Sequence, residues 1–177
     1  MSKIGIDVSQ LAYQNTGVAN YLGNLVSEMI QHKEHEYVLF FSSLRRSLPA
    51  RVEEFLQSGN VTLVQKRIPP TALHILWNVL HIIPIEKFIG PVDLFLTSDW
   101  SEPPTTKAKK ATILYDLIIY KHPGETAKKI VSVQTKKLSW VKKESDIVFC
   151  ISNSTKNDAK SILGLSDEKL RVVYPGY

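Results

Sequence analysis

The sequence predicts an α/β fold, with a doubly wound, mostly parallel sheet and helices on both of its faces. Short apolar runs rich in Val, Ile and Phe hardly alternate with polar residues, which is typical of strands covered on both sides. Stretches with helical spacing separate most of these runs. Because parallel neighbours need a crossover between them, this alternation of strand and helix indicates a parallel sheet.

The strands and helices follow in chain order from these patterns. The apolar runs predict seven strands, at Ile4–Val8, Tyr37–Phe41, Val61–Val64, Leu94–Thr97, Thr112–Tyr115, Ile147–Ile151 and Val172–Tyr174. The first helix has one apolar face, formed by Val18, Tyr21, Leu22, Leu25, Val26, Met29 and Ile30. Further helices are predicted at Ser47–Leu56, Thr71–Ile83, Glu125–Glu144 and Ser154–Leu163, the last ending at Gly164.

Length and composition limit the class of protein. The 177 residues, 44% hydrophobic and 22% charged, suit one globular domain with a sizeable core. The single cysteine, Cys150, lies in an apolar run, so we expect a buried thiol and no disulfide framework. Residues 1–20 lack a signal-peptide pattern, and Ala72–Gly90 is too polar to span a bilayer. We expect a cytoplasmic protein, either free or peripheral at the inner face of the membrane.

The loops after the strands are where a ligand is expected, because open parallel sheets bind ligands beyond the carboxyl ends of their strands. In the first loop, Thr16 can cap the helix that Gly17 opens, which leaves backbone N–H groups for a phosphate or a sugar oxygen. Alternatively, Gly17 only permits a tight turn. The glycine patterns of dinucleotide-binding sites and P-loops are both missing from the sequence.

Four segments together carry a resemblance to a known family. They are "IGIDVSQL…NTGVANYLGNLVSEM", "LWNVLHIIPIEKFIGPVDLFLTSDWSEPP", "ATILYDLIIYKHPGE" and "ESDIVFCISNSTKNDAKSILGLSDEKLRVVYPGY". In order and spacing they resemble the N-terminal, Rossmann-like domain of glycosyltransferase family 4. The GT-B enzymes of that family transfer sugars from nucleotide donors with retention of configuration.

The resemblance implies a domain organisation and an activity. Residues 1–174 would form the acceptor-side domain and residues 175–177 the start of a hinge, with the donor-binding domain outside this sequence. The implied activity is transfer of a hexose from a nucleotide-diphosphate sugar to a glycan or lipid-linked acceptor, without a metal or other cofactor. The chain alone would be inactive or nearly so. The alternative is a non-catalytic module that docks on a catalytic partner subunit or an anionic membrane.

The resemblance also implies site residues. Asp116 would bind the acceptor hydroxyl, next to Tyr115, which replaces the family's usual histidine. The implied substrate-binding residues are Thr16, which replaces the first of two glycines, Gly17, Tyr21, Asp99, Trp100, His122 and Ser152. Three of these residues have a structural alternative: Asp116 can cap a turn or pair with a lysine, Trp100 can cover a sheet edge, and Ser152 can cap a helix.

Two further groups of residues need an interpretation. His74, Asn78 and His81 form the only polar stripe of an apolar helix. We expect this stripe to face solvent rather than to bind zinc, because the paired ligands of a zinc site are missing. If the helix is instead largely exposed, its apolar side is a patch suited to a membrane or a partner.

A lysine-rich helix is the second group. Lys128, Lys129, Lys136, Lys142 and Lys143 lie near Trp140 on one side of it. They form either a solvated face or a contact with an anionic membrane. The net charge of +5 favours an anionic partner of some kind, but the sequence has no nucleic-acid-binding motif, so nucleic acid is not expected.

Overall fold

The computed structural model describes residues 1–176 and confirms the α/β prediction. All seven predicted strands are present: β1 (Lys3–Asp7), β2 (Glu36–Ser42), β3 (Val61–Lys66), β4 (Leu94–Thr97), β5 (Lys109–Leu114), β6 (Ile147–Cys150) and β7 (Leu170–Val172). They form one sheet in the order β3-β2-β1-β4-β5-β6-β7. Every neighbouring pair is parallel.

Within residues 1–176, seven α-helices connect the strands. They are α1 (Gly17–Met29), α2 (Arg51–Leu56), α3 (Pro70–Leu73), α4 (Glu86–Ile89), α5 (Ile118–Lys121), α6 (Lys128–Glu144) and α7 (Asn153–Leu163). A π-helical stretch, His74–Val79, continues α3, so the prediction of one helix to Ile83 is wrong. The short helices α4 and α5 were not predicted, because one turn shows no periodic pattern. No helix within residues 1–176 is long and apolar enough to cross a membrane.

The two faces of the sheet have separate cores. Leu22 and Val26 of α1 pack with Leu39 on one face. Trp77 packs with Phe40 and Phe95 on the other. A third cluster lies under α6 and α7 and contains Cys150, whose predicted burial is confirmed. Burial raises the pKa of the Cys150 thiol to about 11. Each side of the sheet is therefore covered, as its uninterrupted apolar strands require.

The last long helix shows how local sequence sets its ends. Ser152 accepts a hydrogen bond from the Thr155 N–H at 3.1 Å and so caps α7. Gly164 ends α7 in the left-handed conformation, with φ of 66°, which confirms the predicted end. Helix α2 begins at Arg51 rather than Ser47, because a residue before proline, here Leu48, disfavours helix.

Candidate functional site

The order of the strands places a crevice beside β1. Strands β2 and β4 flank β1, so the sheet grows first toward one edge and then toward the other. The loops that leave the carboxyl ends of β1 and β4 therefore diverge, and open α/β sheets bind ligands at such a point.

A cavity of about 300 Å³ lies in this crevice, bounded by the loops after β1, β2 and β4 and by α3 and α6. We call it the first cavity. Its wall combines apolar side chains with ionisable ones, among them Phe41, Leu73, Trp100, Val133, Asp7, Arg46, His74 and Lys129. Its volume lies at the lower end of the range for small-molecule pockets, about 300–1,000 Å³.

The charged groups of the first cavity differ in burial. Asp7, the last residue of β1, is buried, and its Oδ1 accepts a hydrogen bond from the Ser9 N–H at 2.9 Å. Burial raises the pKa of Asp7, although hydrogen bonding to Ser9 opposes the shift. The exposed Arg46 guanidinium lies 4.2 Å from the centroid of the Tyr13 ring and donates to the Ala12 carbonyl at 3.2 Å. The cavity thus has a fixed cation at its rim.

A second cavity, of about 180 Å³, adjoins the first, and Trp100 and Ile130 line both. Asp99, Tyr115 and Asp116 also line it, so the structure brings four of the predicted site residues together. The other predicted residues, Thr16, Gly17, Tyr21, His122 and Ser152, do not line the second cavity.

Helix α6 fixes the position of Asp99. The side-chain amide of Gln134 donates to the Asp99 carbonyl and to its Oδ1, at 3.1 Å in each case. Burial raises the pKa of Asp99, and the positive charge of Lys137 opposes the shift. Gln134 therefore holds Asp99 in place in the lining of the second cavity.

Asp116 is exposed at the carboxyl end of β5. Its Oδ1 accepts a hydrogen bond from the Ile118 N–H at 3.0 Å. Asp116 therefore caps a turn, as its predicted structural alternative requires. This bond uses one carboxylate oxygen, so the other can accept a hydrogen bond from a ligand hydroxyl.

Tyr115, which lines the second cavity, packs against Tyr21. The Tyr115 hydroxyl lies 3.1 Å from the Ser98 hydroxyl, and its ring meets that of Tyr21 edge to face, with 5.6 Å between centroids. The Tyr21 hydroxyl donates to the Val173 carbonyl at 3.0 Å. Burial raises the pKa of Tyr115, and it raises the pKa of Tyr21 to about 12. Both phenols therefore stay protonated at neutral pH.

The loop before α1 bears on the two roles predicted for Gly17, a ligand site or a tight turn. Thr16 caps α1, accepting from the Ala19 N–H at 3.2 Å and donating to the Tyr13 carbonyl at 2.9 Å. The left-handed residue in this loop is Asn15, with φ of 66°, and not Gly17. A Cβ added at Gly17 would meet no heavy atom within 4 Å. Neither a left-handed turn nor packing within residues 1–176 therefore requires glycine at this position.

The remaining predicted residues lie away from both cavities. Ser152 caps α7, and the hydroxyl of Thr155 in that helix donates to the Tyr115 carbonyl at 3.1 Å. His122 follows α5 and is exposed, with its Nδ1 3.5 Å from the Glu125 carboxylate.

A buried lysine, Lys137 of α6, also lies at this site and was not predicted from the sequence. Lys137 is 2% exposed and donates to the Ser98 carbonyl at 2.5 Å. Burial lowers the pKa of Lys137, and the charges of nearby carboxylates, Glu102 foremost, oppose the shift. A signal did exist, because Lys137 lies four residues before the apolar Val141 and so falls on the inner face of α6.

The orientation predicted for the polar stripe is wrong. Asn78 is 2% exposed, donates to the Trp100 carbonyl at 2.8 Å and accepts from the Glu102 N–H at 2.9 Å. The stripe turns inward because the buried loop after β4 needs hydrogen-bond partners for its backbone. His81 also points inward, 2.8 Å from the Glu144 carboxylate. The apolar side of this stretch faces solvent instead.

The lysines of α6 are exposed, but Trp140 is engaged within the chain. Lys128, Lys129, Lys136, Lys142 and Lys143 all reach solvent. The indole N–H of Trp140 donates to the Asn78 carbonyl at 2.9 Å, and its ring stacks on that of His81 with 3.6 Å between centroids. Trp140 therefore supports the neighbouring π-helical stretch and is not free to serve as a membrane anchor.

The chain is similar to known proteins in sequence and in fold. Residues 15–177 match the model of Glycosyltransferase Family 4. A crystal structure of a glycosyltransferase from Rickettsia africae ESF-5 is similar over 98% of this chain and 42% of that one, with a TM-score of 0.53 and 15% identity. At this identity the likeness shows the fold alone. No curated protein sequence matches the chain significantly.

Proposed function

Because the chain belongs to glycosyltransferase family 4 and has the fold of a GT-B N-terminal domain, we propose that it supplies the acceptor side of a hexosyltransferase. In this proposal, a hexose passes from a nucleotide-diphosphate hexose to a hydroxyl of the acceptor with retention of configuration. A second domain supplies most of the donor site, and the chain without it is inactive or nearly so.

The proposed reaction assigns this chain a positioning role. The bond between the anomeric carbon and the diphosphate oxygen breaks, and the acceptor oxygen bonds to the anomeric carbon. The nucleoside diphosphate leaves with the electron pair and takes up the acceptor's proton. Asp116 accepts a hydrogen bond from the acceptor hydroxyl, while Asp99, Trp100 and Tyr115 shape the wall around it. Such orientation of reacting groups is a large source of rate acceleration.

The observation that carries the proposal is the convergence of Asp99, Trp100, Tyr115 and Asp116 on one cavity at the crevice. The adjoining first cavity combines apolar walls with Arg46 and Lys129. Apolar surface next to cations suits an acceptor with an apolar chain and a phosphate. This favours a lipid-linked acceptor over a free glycan.

Gly17→Ala tests whether the start of α1, where Gly17 lies, binds the sugar nucleotide. We expect the melting temperature to stay equal or rise, because the added methyl group meets open space and alanine favours helix. In the native-length protein, the KM for the sugar nucleotide should rise on the order of tenfold, since the methyl group intrudes on a ligand at the start of α1. Steady-state kinetics and thermal melting provide both values.

Gly124→Ala is the matched control, because Gly124 is also exposed with open space around its Cβ position. It should change neither the KM nor the melting temperature. Equal KM values for Gly17→Ala, Gly124→Ala and the wild type would contradict a ligand at Gly17.

A further inference from the structure

Five large aliphatic side chains are exposed on one short stretch of the chain. Ile75, Val79, Leu80, Ile82 and Ile83 are each between 42% and 56% exposed. We call them the aliphatic patch. Single exposed apolar residues are ordinary, but a contiguous group of this kind is typical of a binding surface.

The backbone of this stretch is strained in a way that keeps the patch outside. His74–Val79 is π-helical, and His81 and Ile83 have φ of 53° and 59°. A left-handed conformation is rare for any residue with a Cβ and rarest for a β-branched one. The Trp77 indole N–H donates to the Ile83 carbonyl at 3.0 Å, and the Nδ1 of His81 lies 2.7 Å from the Trp77 carbonyl. Such strain persists where the surroundings enforce it, and it clusters at functional sites.

Positive charge borders the patch along α6. Lys129 and Lys136 lie close enough to His74 to lower its pKa, in addition to the larger effect of burial. The ammonium of Lys143 lies 4.6 Å from the centroid of the Trp140 ring, which stacks on His81. None of these lysines belongs to an ion pair of residues 1–176. The sequence from position 67 to 85 holds no Asp or Glu.

We infer that the aliphatic patch and these three lysines form a docking surface for an anionic lipid bilayer. The aliphatic side chains enter the boundary between headgroups and acyl chains, and the lysines bind lipid phosphates. The Glu144 carboxylate beside the patch is already engaged by His81 and Lys110. The unpaired ammonium groups of the border therefore match a continuous anionic surface. His74 and Lys129 also line the first cavity, so the surface and the cavity adjoin. The inference concerns binding alone and does not depend on sugar transfer.

Vesicle sedimentation tests the inference without any sugar nucleotide. The native-length protein is mixed with vesicles of phosphatidylcholine, either alone or with phosphatidylglycerol. We expect at least tenfold tighter binding to the anionic vesicles. Leu80→Ser/Ile82→Ser and, separately, Lys129→Gln/Lys136→Gln/Lys143→Gln should each weaken that binding at least tenfold. Circular dichroism checks the fold, and the serine pair should not destabilise it, because both side chains are exposed.

Matched controls separate the surface from bulk properties. Leu56→Ser/Ile162→Ser removes two exposed aliphatic side chains elsewhere. Lys33→Gln/Lys107→Gln/Lys109→Gln removes the same charge from exposed positions away from α6. Both controls should bind within twofold of the wild type. Binding of the patch and lysine variants equal to that of the controls would overturn the inference.

Two other results would overturn it as well. The first is a wild-type protein that does not sediment with anionic vesicles. The second is a dimer in solution that Leu80→Ser/Ile82→Ser dissociates while vesicles stay unbound, which would assign the patch to a second copy of the chain. If sedimentation follows the expectation but no sugar is transferred, only the proposed function fails.

Discussion

Lys110→Met is expected to lower the free energy of unfolding by about 3–5 kcal/mol, because it removes the cation that pairs with the buried Glu102 carboxylate and with Glu144. The Lys110 ammonium lies 3.1 Å from Oε1 of Glu102, and the two side chains are 3% and 0% exposed. The Thr97 hydroxyl donates to Oε2 at 2.7 Å. Oε1 accepts no hydrogen bond from residues 1–176, so the ammonium is its main compensation. Urea denaturation at neutral pH, followed by circular dichroism, measures the loss.

Lys110→Met/Glu102→Gln is the control for this prediction. The amide of glutamine carries no charge and keeps an oxygen that can accept the Thr97 hydrogen bond. The double variant should therefore recover most of the stability that the single variant loses. A single-variant loss below about 1 kcal/mol would mean that this pair behaves like an exposed ion pair, which contradicts its burial.

Asp116→Asn is expected to reduce turnover of the native-length enzyme on the order of 100-fold, because the acceptor hydroxyl loses the carboxylate that orients it. The melting temperature should not change. Asparagine keeps a side-chain oxygen that can accept the hydrogen bond from the Ile118 N–H, so the turn after β5 is preserved. Initial-rate kinetics, with thermal melting on the same samples, measure both.

Glu168→Gln is the matched control, since Glu168 is exposed in the turn that precedes β7, at the amino edge of the sheet. It should leave turnover unchanged. If Asp116→Asn also keeps wild-type turnover, Asp116 is only a turn residue, and the acceptor site lies elsewhere.

The strands were predictable because burial on both faces leaves a strong pattern. The run from Ile147 to Cys150 has no polar residue, and such a segment has few alternatives to a central strand. The edge strand β7 was predicted two residues late, because the paired segment has only three residues and contains Arg171. Periodicity located α1 and α7 well, because each of these helices buries one continuous face.

The orientation of the polar stripe and the burial of Lys110 were not predictable from periodicity, which for Lys137 indicated only the inner face of α6. Asn78 faces inward because it bonds the backbone of a loop more than 20 residues away. His81 faces inward because Glu144 and Trp140 of α6 contact it. The partner of Lys110 is the Glu102 carboxylate and that of Lys137 is the Ser98 carbonyl, and a lysine in the sequence carries no mark of such a partner. The cavity around Asp99 and Asp116 likewise depends on the order of the strands.

Transfer of labelled hexose by the native-length protein is the measurement that tests the proposed activity itself. UDP-glucose and GDP-mannose serve as donors, and polar-lipid and glycan extracts of the host cell serve as acceptors. We expect label to move to an acceptor, with retention of anomeric configuration, and Asp116→Asn to suppress this transfer. No transfer from either donor, or transfer that Asp116→Asn leaves unchanged, would be the opposite of the proposed activity. The first of these results would favour a non-catalytic binding module.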